Sequence, residues 1–365
     1  MISSVDTLFN LIRIALGTEE NTLVPEEGVD WPALVALATR QGVASVAYDG
    51  LQKCYEVDPH LSLSLDCEQK TVKYDWFGSV LQSEIDYLEY RKTIHDLASF
   101  YQEQGIPMML LKGYGLSLNY PVPEHRPCGD IDVYLFGHWE DADKAMAYKL
   151  GINVDNSHHH HSVFHLGRWS IENHYDFVNV HAHRSSKHIE KELKYLASGQ
   201  SVEHEIDGIK VFLPNPNLNA LFLLKHAAGH FASTRLSLRQ VLDWLLFVQK
   251  YGAEVDWPWL YGILRSDNLS RFANSLAAIG VEFFGMDSSS FFEIENDSAL
   301  VLRIIGDILE PEFQGDEPHH IAKRIWFKYR RWRANAWKHQ ICYPEGMLSS
   351  FFVSAWAHIL KPSSI

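Results

Sequence analysis

Apolar residues recur at helical spacing through the first hundred positions of this chain. They do so over residues 5–16 and 31–51, and residues 76–104 form a long amphipathic stretch with many acids and few breakers. Gly105-Ile106-Pro107 ends that stretch, and the period then changes. Residues 108–111 are a short, wholly apolar run that predicts a buried strand. Residues 114–120 suit a short helix, and the proline-rich loop 121–127 leads into a second strand over 130–136. Residues 139–150 read as a helix stopped by Gly151. Two hairpins follow. One joins 159–165 to 168–178 through a turn near Gly167; the other joins 202–206 to 209–213 through Asp207-Gly208, the strongest short hairpin signal in the chain. Helical spacing returns over 217–231, 236–251 and onward to the end. The expectation is an α+β protein: a helical region over 1–104, an α/β core of small mixed sheet and helices over 105–215, and a helical domain over 216–365.

The strand over 130–136 carries the chemistry. Side chains on a strand alternate faces, so Asp130 and Asp132 point one way while Ile131 and Val133 point into the protein. Two carboxylates a few ångströms apart repel, and one would stay protonated unless a cation compensated them. Hard divalent ions prefer oxygen ligands, so the pair reads as a Mg²⁺ or Mn²⁺ site of the kind that serves phosphoryl transfer. The plainer reading is a solvent-facing strand that carries two acids. Lys112 and Arg126 stand near enough in sequence to neutralise phosphate charge. Gly113 would let backbone approach a phosphate at the start of the helix that follows.

Composition narrows the partners. At 365 residues, with 46% apolar and 21% charged residues, the chain is ordinary globular material able to bury a large core. The net charge of −14 means that any nucleic acid must be met by a local patch. No apolar run approaches the ~20 residues of a transmembrane helix. The N-terminus lacks the basic segment and cleavage site of a signal peptide. Cys54, Cys67, Cys128 and Cys342 show no CxxC spacing, which predicts free thiols in a cytoplasmic protein.

A strand, a Lys-Gly turn, a short helix and a strand bearing Asp-x-Asp resemble the nucleotidyltransferase superfamily typified by DNA polymerase β. In detail the chain resembles its bacterial family of uncharacterised nucleotidyltransferases. The likeness rests on Leu110-Leu111-Lys112-Gly113, Tyr120, Arg126, Gly129-Asp130-Ile131-Asp132 and Glu172-Asn173-His174. It continues in Lys225-His226, His230, Arg239 and Asp243, and so covers roughly residues 30–250. One departure stands out: the superfamily usually has Gly-Ser after the first strand, where this chain has Lys112-Gly113-Tyr114, with Ser117 four residues after the glycine. Which groups hold the triphosphate therefore stays open among Lys112, Gly113, Ser117 and Arg126.

The resemblance implies a polymerase-β-like core and transfer of an NMP from an NTP to a hydroxyl-bearing acceptor, with release of pyrophosphate. It implies Asp130 and Asp132 as metal ligands and picks Glu172, ahead of Asp176, as the third carboxylate. It sets Arg239 near the nucleotide, with Lys225 as a further phosphate contact. His174, two residues past Glu172 and on its face, belongs beside the site. The acceptor, whether small molecule, protein or RNA, is not specified by any of this. A non-catalytic nucleotide-binding or regulatory module is the first rival.

The second rival starts from His158, His159, His160, His161, His165, His174, His181 and His183. Imidazoles with carboxylates bind Zn²⁺ or Fe and could serve a metal-dependent hydrolase. Four consecutive histidines on a strand would face alternate sides, however, and no H-E-x-x-H accompanies them. Residues 323–338 interleave basic and aromatic residues, a pattern that can contact nucleic acid weakly. Ile325, Tyr329, Trp332 and Ala336 also make a helical stripe, which favours a core-facing helix with a solvated basic side.

Overall fold

The computed structural model describes residues 4–19, 28–58, 67–181, 183–315, 318 and 320–346. Helices α1 (Ser4–Leu16), α2 (Trp31–Arg40), α3 (Ala44–Val57) and α4 (Cys67–Glu103) come first. The strands are β1 (Met109–Leu110), β2 (Ile131–Tyr134), β3 (His161–Leu166), β4 (Trp169–His174), β5 (Val202–Ile206) and β6 (Ile209–Leu213). Between them lie α5 (Tyr114–Ser117), α6 (Trp139–Leu150) and α7 (Ser186–Ala197). Helices α8 (Pro216–Ser233), α9 (Leu238–Tyr251), α10 (Trp257–Ser266), α11 (Ser270–Phe284), α12 (Ser298–Leu309), α13 (Ile321–Ala334) and α14 (Ala336–Cys342) complete the fold. It is the mixed α+β architecture expected, with helices on both sides of the sheet in sequence.

The strands form one sheet in the order β3-β4-β2-β1-β6-β5. The pairs β2/β4 and β1/β6 are parallel; β1/β2 and both hairpins are antiparallel. The alternation read from the sequence decides which face is dry. Ile131, Val133 and Ile171 are fully buried against the second half of α4 and against α6, in a cluster with Tyr90, Ile94, Leu97 and Tyr101. A polar thread runs through that side: Asp143 Oδ1 accepts from Ser162 Oγ and Asn173 Nδ2 (2.8 Å each), and Tyr101 donates to Asn173 Oδ1 (3.1 Å). It holds β4 by a residue that faces away from Glu172 and His174.

The opposite face looks toward α8 and α9, whose apolar residues share one large core with α1, α2, α3 and the start of α4. Helices from both ends of the chain meet there. Thr18 donates to the Phe284 carbonyl (2.6 Å), and Gln41 Nε2 donates to the Ile308 carbonyl (2.7 Å). The 37-residue α4 serves both clusters: Trp76 and Val80 lie in the large core, Tyr87 to Tyr101 in the one behind the sheet.

Three local readings change. The helical run over 31–51 is two helices, because Gly42 takes a left-handed conformation (φ +67°) and ends α2. Arg239 Cβ stands 3.2 Å from where a Cβ at Gly42 would sit. Helix α7, which the periodicity did not predict, carries Glu190; its carboxylate accepts from the Phe177 (3.1 Å) and Val178 (2.9 Å) amides and pins the chain that leaves β4. Among its described side chains the 325–336 stripe does not line a core. Helix α13 ends at Ala334, short of residue 336, Tyr329 is 43% exposed, and its ring stacks between Trp326 and Trp332; the Ile325 side chain lies outside the described residues. Among the described residues no helix is long and apolar enough to cross a membrane, and Cys128 and Cys342 are free thiols.

Candidate active site

Parallel pairing of β2 with β4 sets Asp132 opposite Glu172 and Tyr134 opposite His174. Asp132 is almost wholly buried, a costly place for a carboxylate unless cations attend it. Two do. Lys112, just past β1, brings Nζ to 2.7 Å from Asp132 Oδ1, and His174 brings Nε2 to 3.1 Å from the same oxygen. His174 Nε2 also lies 3.3 Å from Glu172 Oε2. The His174 Nδ1 faces the Asp176 carbonyl at 3.2 Å, which can only accept, so Nδ1 carries a hydrogen and Nε2 is the nitrogen presented to the acids.

The electrostatics follow from this arrangement. Burial alone would raise Asp132, but Lys112 and His174 outweigh it and hold its pKa well below the usual carboxylate range. Burial works against a charged His174, yet its bonds to Asp132 and Glu172 lift the ring to about 9. Asp130 sits exposed at the mouth of β2. Partial loss of water, then the charges of Glu172 and Asp132, raise its pKa, so the three acids share one field. Its carboxyl nevertheless stands outside the tight cluster of Asp132, Glu172 and His174, whose ligand atoms all lie within 4.8 Å of one another. Two carboxylates and an imidazole at that spacing suit a divalent ion.

Gly113 supplies the turn after Lys112 (φ +57°). A Cβ there would stand 2.1 Å from the Tyr90 hydroxyl, which reaches from α4 to donate to the Asp130 carbonyl (3.1 Å). The glycine thus lets one tyrosine tie the two strand ends that carry Lys112 and Asp130. Arg239, at the start of α9, forms no ion pair among the described residues, and its charge is felt by Asp130 and Asp243.

Three expected phosphate ligands are otherwise engaged. Ser117 is buried, with its hydroxyl donating to the Tyr114 carbonyl (2.7 Å) and 3.0 Å from the Tyr87 hydroxyl. Arg126 is buried too, gripping Asp243 through Nε (2.7 Å) and a terminal nitrogen (2.9 Å), while Tyr120 donates to Asp243 (2.9 Å). Asp243 therefore pairs across the fold with Arg126 rather than with Arg239 one turn before it. Lys225 lies under the Tyr343 ring, 4.3 Å from its centre, and burial brings its pKa down to about 8. Its neighbour His226 lies on the α8 face that looks at the site. Burial, then Lys112, lowers the pKa of His226 and of His230 one turn on, and Asp132 acts on both. The i, i+4 spacing of these two histidines was the available signal, since a helix face that holds 226 and 230 cannot hold 225.

The remaining surprise is His160 and His161, which flank His174. Their rings approach that of His174 to 5.5 and 5.1 Å, and burial pushes their pKa values to about 2 and about 4.

A family model described as uncharacterised nucleotidyltransferase matches residues 27–285, most of the chain and all of the elements above that carry acids, Lys112 and the α8 and α9 side chains. The chain belongs to that family. No curated protein and no solved structure matches it. As a nucleotidyltransferase family member it is a transferase that acts on an NTP, and the fold and the family agree with the resemblance read from Lys112-Gly113 and Asp130-Ile131-Asp132.

Proposed function

We propose that this nucleotidyltransferase moves an NMP from an NTP to a hydroxyl-bearing acceptor in a Mg²⁺- or Mn²⁺-dependent reaction at Asp130, Asp132 and Glu172, and that it works in the cytoplasm. The observation that carries the reading is the register of β2 and β4, which sets Asp132 beside Glu172 with two cationic side chains already drawn onto the pair. A divalent ion held by Asp132, Glu172 and His174, with Asp130 at the mouth, would polarise phosphoryl oxygens and lower the pKa of the acceptor hydroxyl. Lys112 and Arg239 are the cations in reach of a triphosphate, and the Gly113 turn keeps the backbone open for it. Ser117, Arg126 and Lys225 support the fold around them. His174, fixed by the Asp176 carbonyl, orients the two carboxylates.

The test is a screen of α-labelled NTPs with Mg²⁺ or Mn²⁺ against RNA, protein and small-molecule fractions. The wild-type chain should label one fraction and release pyrophosphate. Asp132→Asn and Glu172→Gln should each lower the rate at least ~10³-fold, which is about 4 kcal/mol of transition-state stabilisation, with the fold intact. Undiminished turnover in Asp132→Asn would refute the mechanism. NTP binding with no transfer to any fraction would favour the non-catalytic module instead.

A further inference from the structure

Two further histidines stand together on the flank of the carboxylate site, and one of them reaches it: His161 Nδ1 lies 3.6 Å from Glu172 Oε2. His161 opens β3 and is paired across the hairpin with His174 on β4. His160 precedes the strand at a bend, which frees it from strand alternation and lets consecutive rings turn to one side, with centroids 4.2 Å apart. One ring nitrogen from each of His160, His161 and His174 lies within 4.8 Å of the other two. His160 Nδ1 is buried without a hydrogen-bond partner in the structure; His161 is only 7% exposed, and its buried Nδ1 has no hydrogen bond either, only the longer approach to Glu172. Buried imidazole nitrogens have lost water and normally gain a partner in exchange.

We propose that His160, His161 and His174 form a nitrogen-donor site for a borderline transition ion, Zn²⁺ first, beside the oxygen-rich site for Mg²⁺ or Mn²⁺. At Zn–N distances of about 2.0–2.1 Å, tetrahedral ligand nitrogens stand about 3.4 Å apart, so these rings close on an ion by moving roughly 1 Å or less. Three imidazoles leave a fourth position for water or a ligand, and they discriminate against Mg²⁺, which takes oxygen donors and sheds its own water reluctantly. The inference concerns binding and stands whether or not nucleotidyl transfer is the reaction. It has one consequence for the neighbouring site: His174 serves both clusters, so an ion on the imidazoles competes with Asp132 and Glu172 for that ring.

The experiment uses the full chain, stripped with a chelator and titrated with Zn²⁺ in a large excess of Mg²⁺, with bound metal counted by elemental analysis. One equivalent of zinc should be retained. His160→Gln and His161→Gln should each weaken binding at least tenfold, and Asp132→Asn should keep it. Unchanged affinity in both histidine variants would overturn the assignment, as would zinc lost in Asp132→Asn but kept in His160→Gln. Because either histidine variant can disturb the hairpin, Co²⁺ bound to the wild-type chain gives an independent reading. Intense visible bands of a four-coordinate nitrogen site are expected, and the weak bands of octahedral oxygen coordination would refute it.

Discussion

Arg126 is the residue for which the sequence expectation and the structure part most sharply, and Arg126→Met separates them. Its guanidinium makes two bonds to Asp243 at 2.7 and 2.9 Å, and both residues are at least 95% buried. Removing one side of such a pair leaves the other charge uncompensated in a dry interior, at a cost of about 3–5 kcal/mol. The Tyr120 hydroxyl still donates to Asp243 at 2.9 Å, which sets the expected loss near the lower end, about 3 kcal/mol. For a chain of this size that is a fall in Tm of about 4 °C, readable by calorimetry or urea unfolding. The double variant Arg126→Met/Asp243→Leu removes both charges and should lose less than the sum of the two single variants by at least about 2 kcal/mol. NTP affinity, measured by equilibrium binding on the folded fraction, should change little. If Arg126→Met kept its stability within about 0.5 kcal/mol and instead lost NTP binding, the buried-pair reasoning would be refuted and Arg126 would return to the phosphates.

Two further outcomes are expected. Gly113→Ala should cost both stability and transfer, because its Cβ meets the Tyr90 hydroxyl at 2.1 Å; adding Tyr90→Phe clears that oxygen and should restore part of the stability, and a double variant no better than the single would refute the clash. Lys225, brought down to about 8 by burial, binds its proton less tightly folded than unfolded. Between its folded value and the ordinary lysine value the unfolded chain holds more protons, so stability should rise with pH through that window. The rise is about 3 kcal/mol from this residue, less whatever the Tyr343 ring returns to the charged form. Lys225→Met should flatten that part of the stability–pH curve, and an unchanged slope would show that Lys225 is solvated.

Much of the sheet could be read directly because its signals are local. Asp207-Gly208 and Gly167 mark hairpin turns that depend only on backbone freedom at those positions. The i, i+2 acids on β2 require one face to be polar wherever the strand ends up. The sharing of one core by α1 and α11 was not legible, because periodicity says which face of a helix is apolar and not what will cover it. The same limit applied to the cations: composition offers Lys112, Arg126, Lys225 and Arg239 equally, and only tertiary contacts turn two of them inward to Asp243 and Tyr343. The histidine run departs from strand alternation for a geometric reason. His160 lies in a bend, where alternation does not hold.

Helix α4 runs about 55 Å at the usual rise per residue, and its side chains belong to two separate apolar masses. It behaves as a shared beam. Loosening of the amino-terminal bundle would travel along it to Tyr90, and so to the Asp130 carbonyl that Tyr90 holds. Thermal opening at one end of the molecule should therefore be felt as lost alignment at the other, and the protein should melt as a unit rather than shed its first helices.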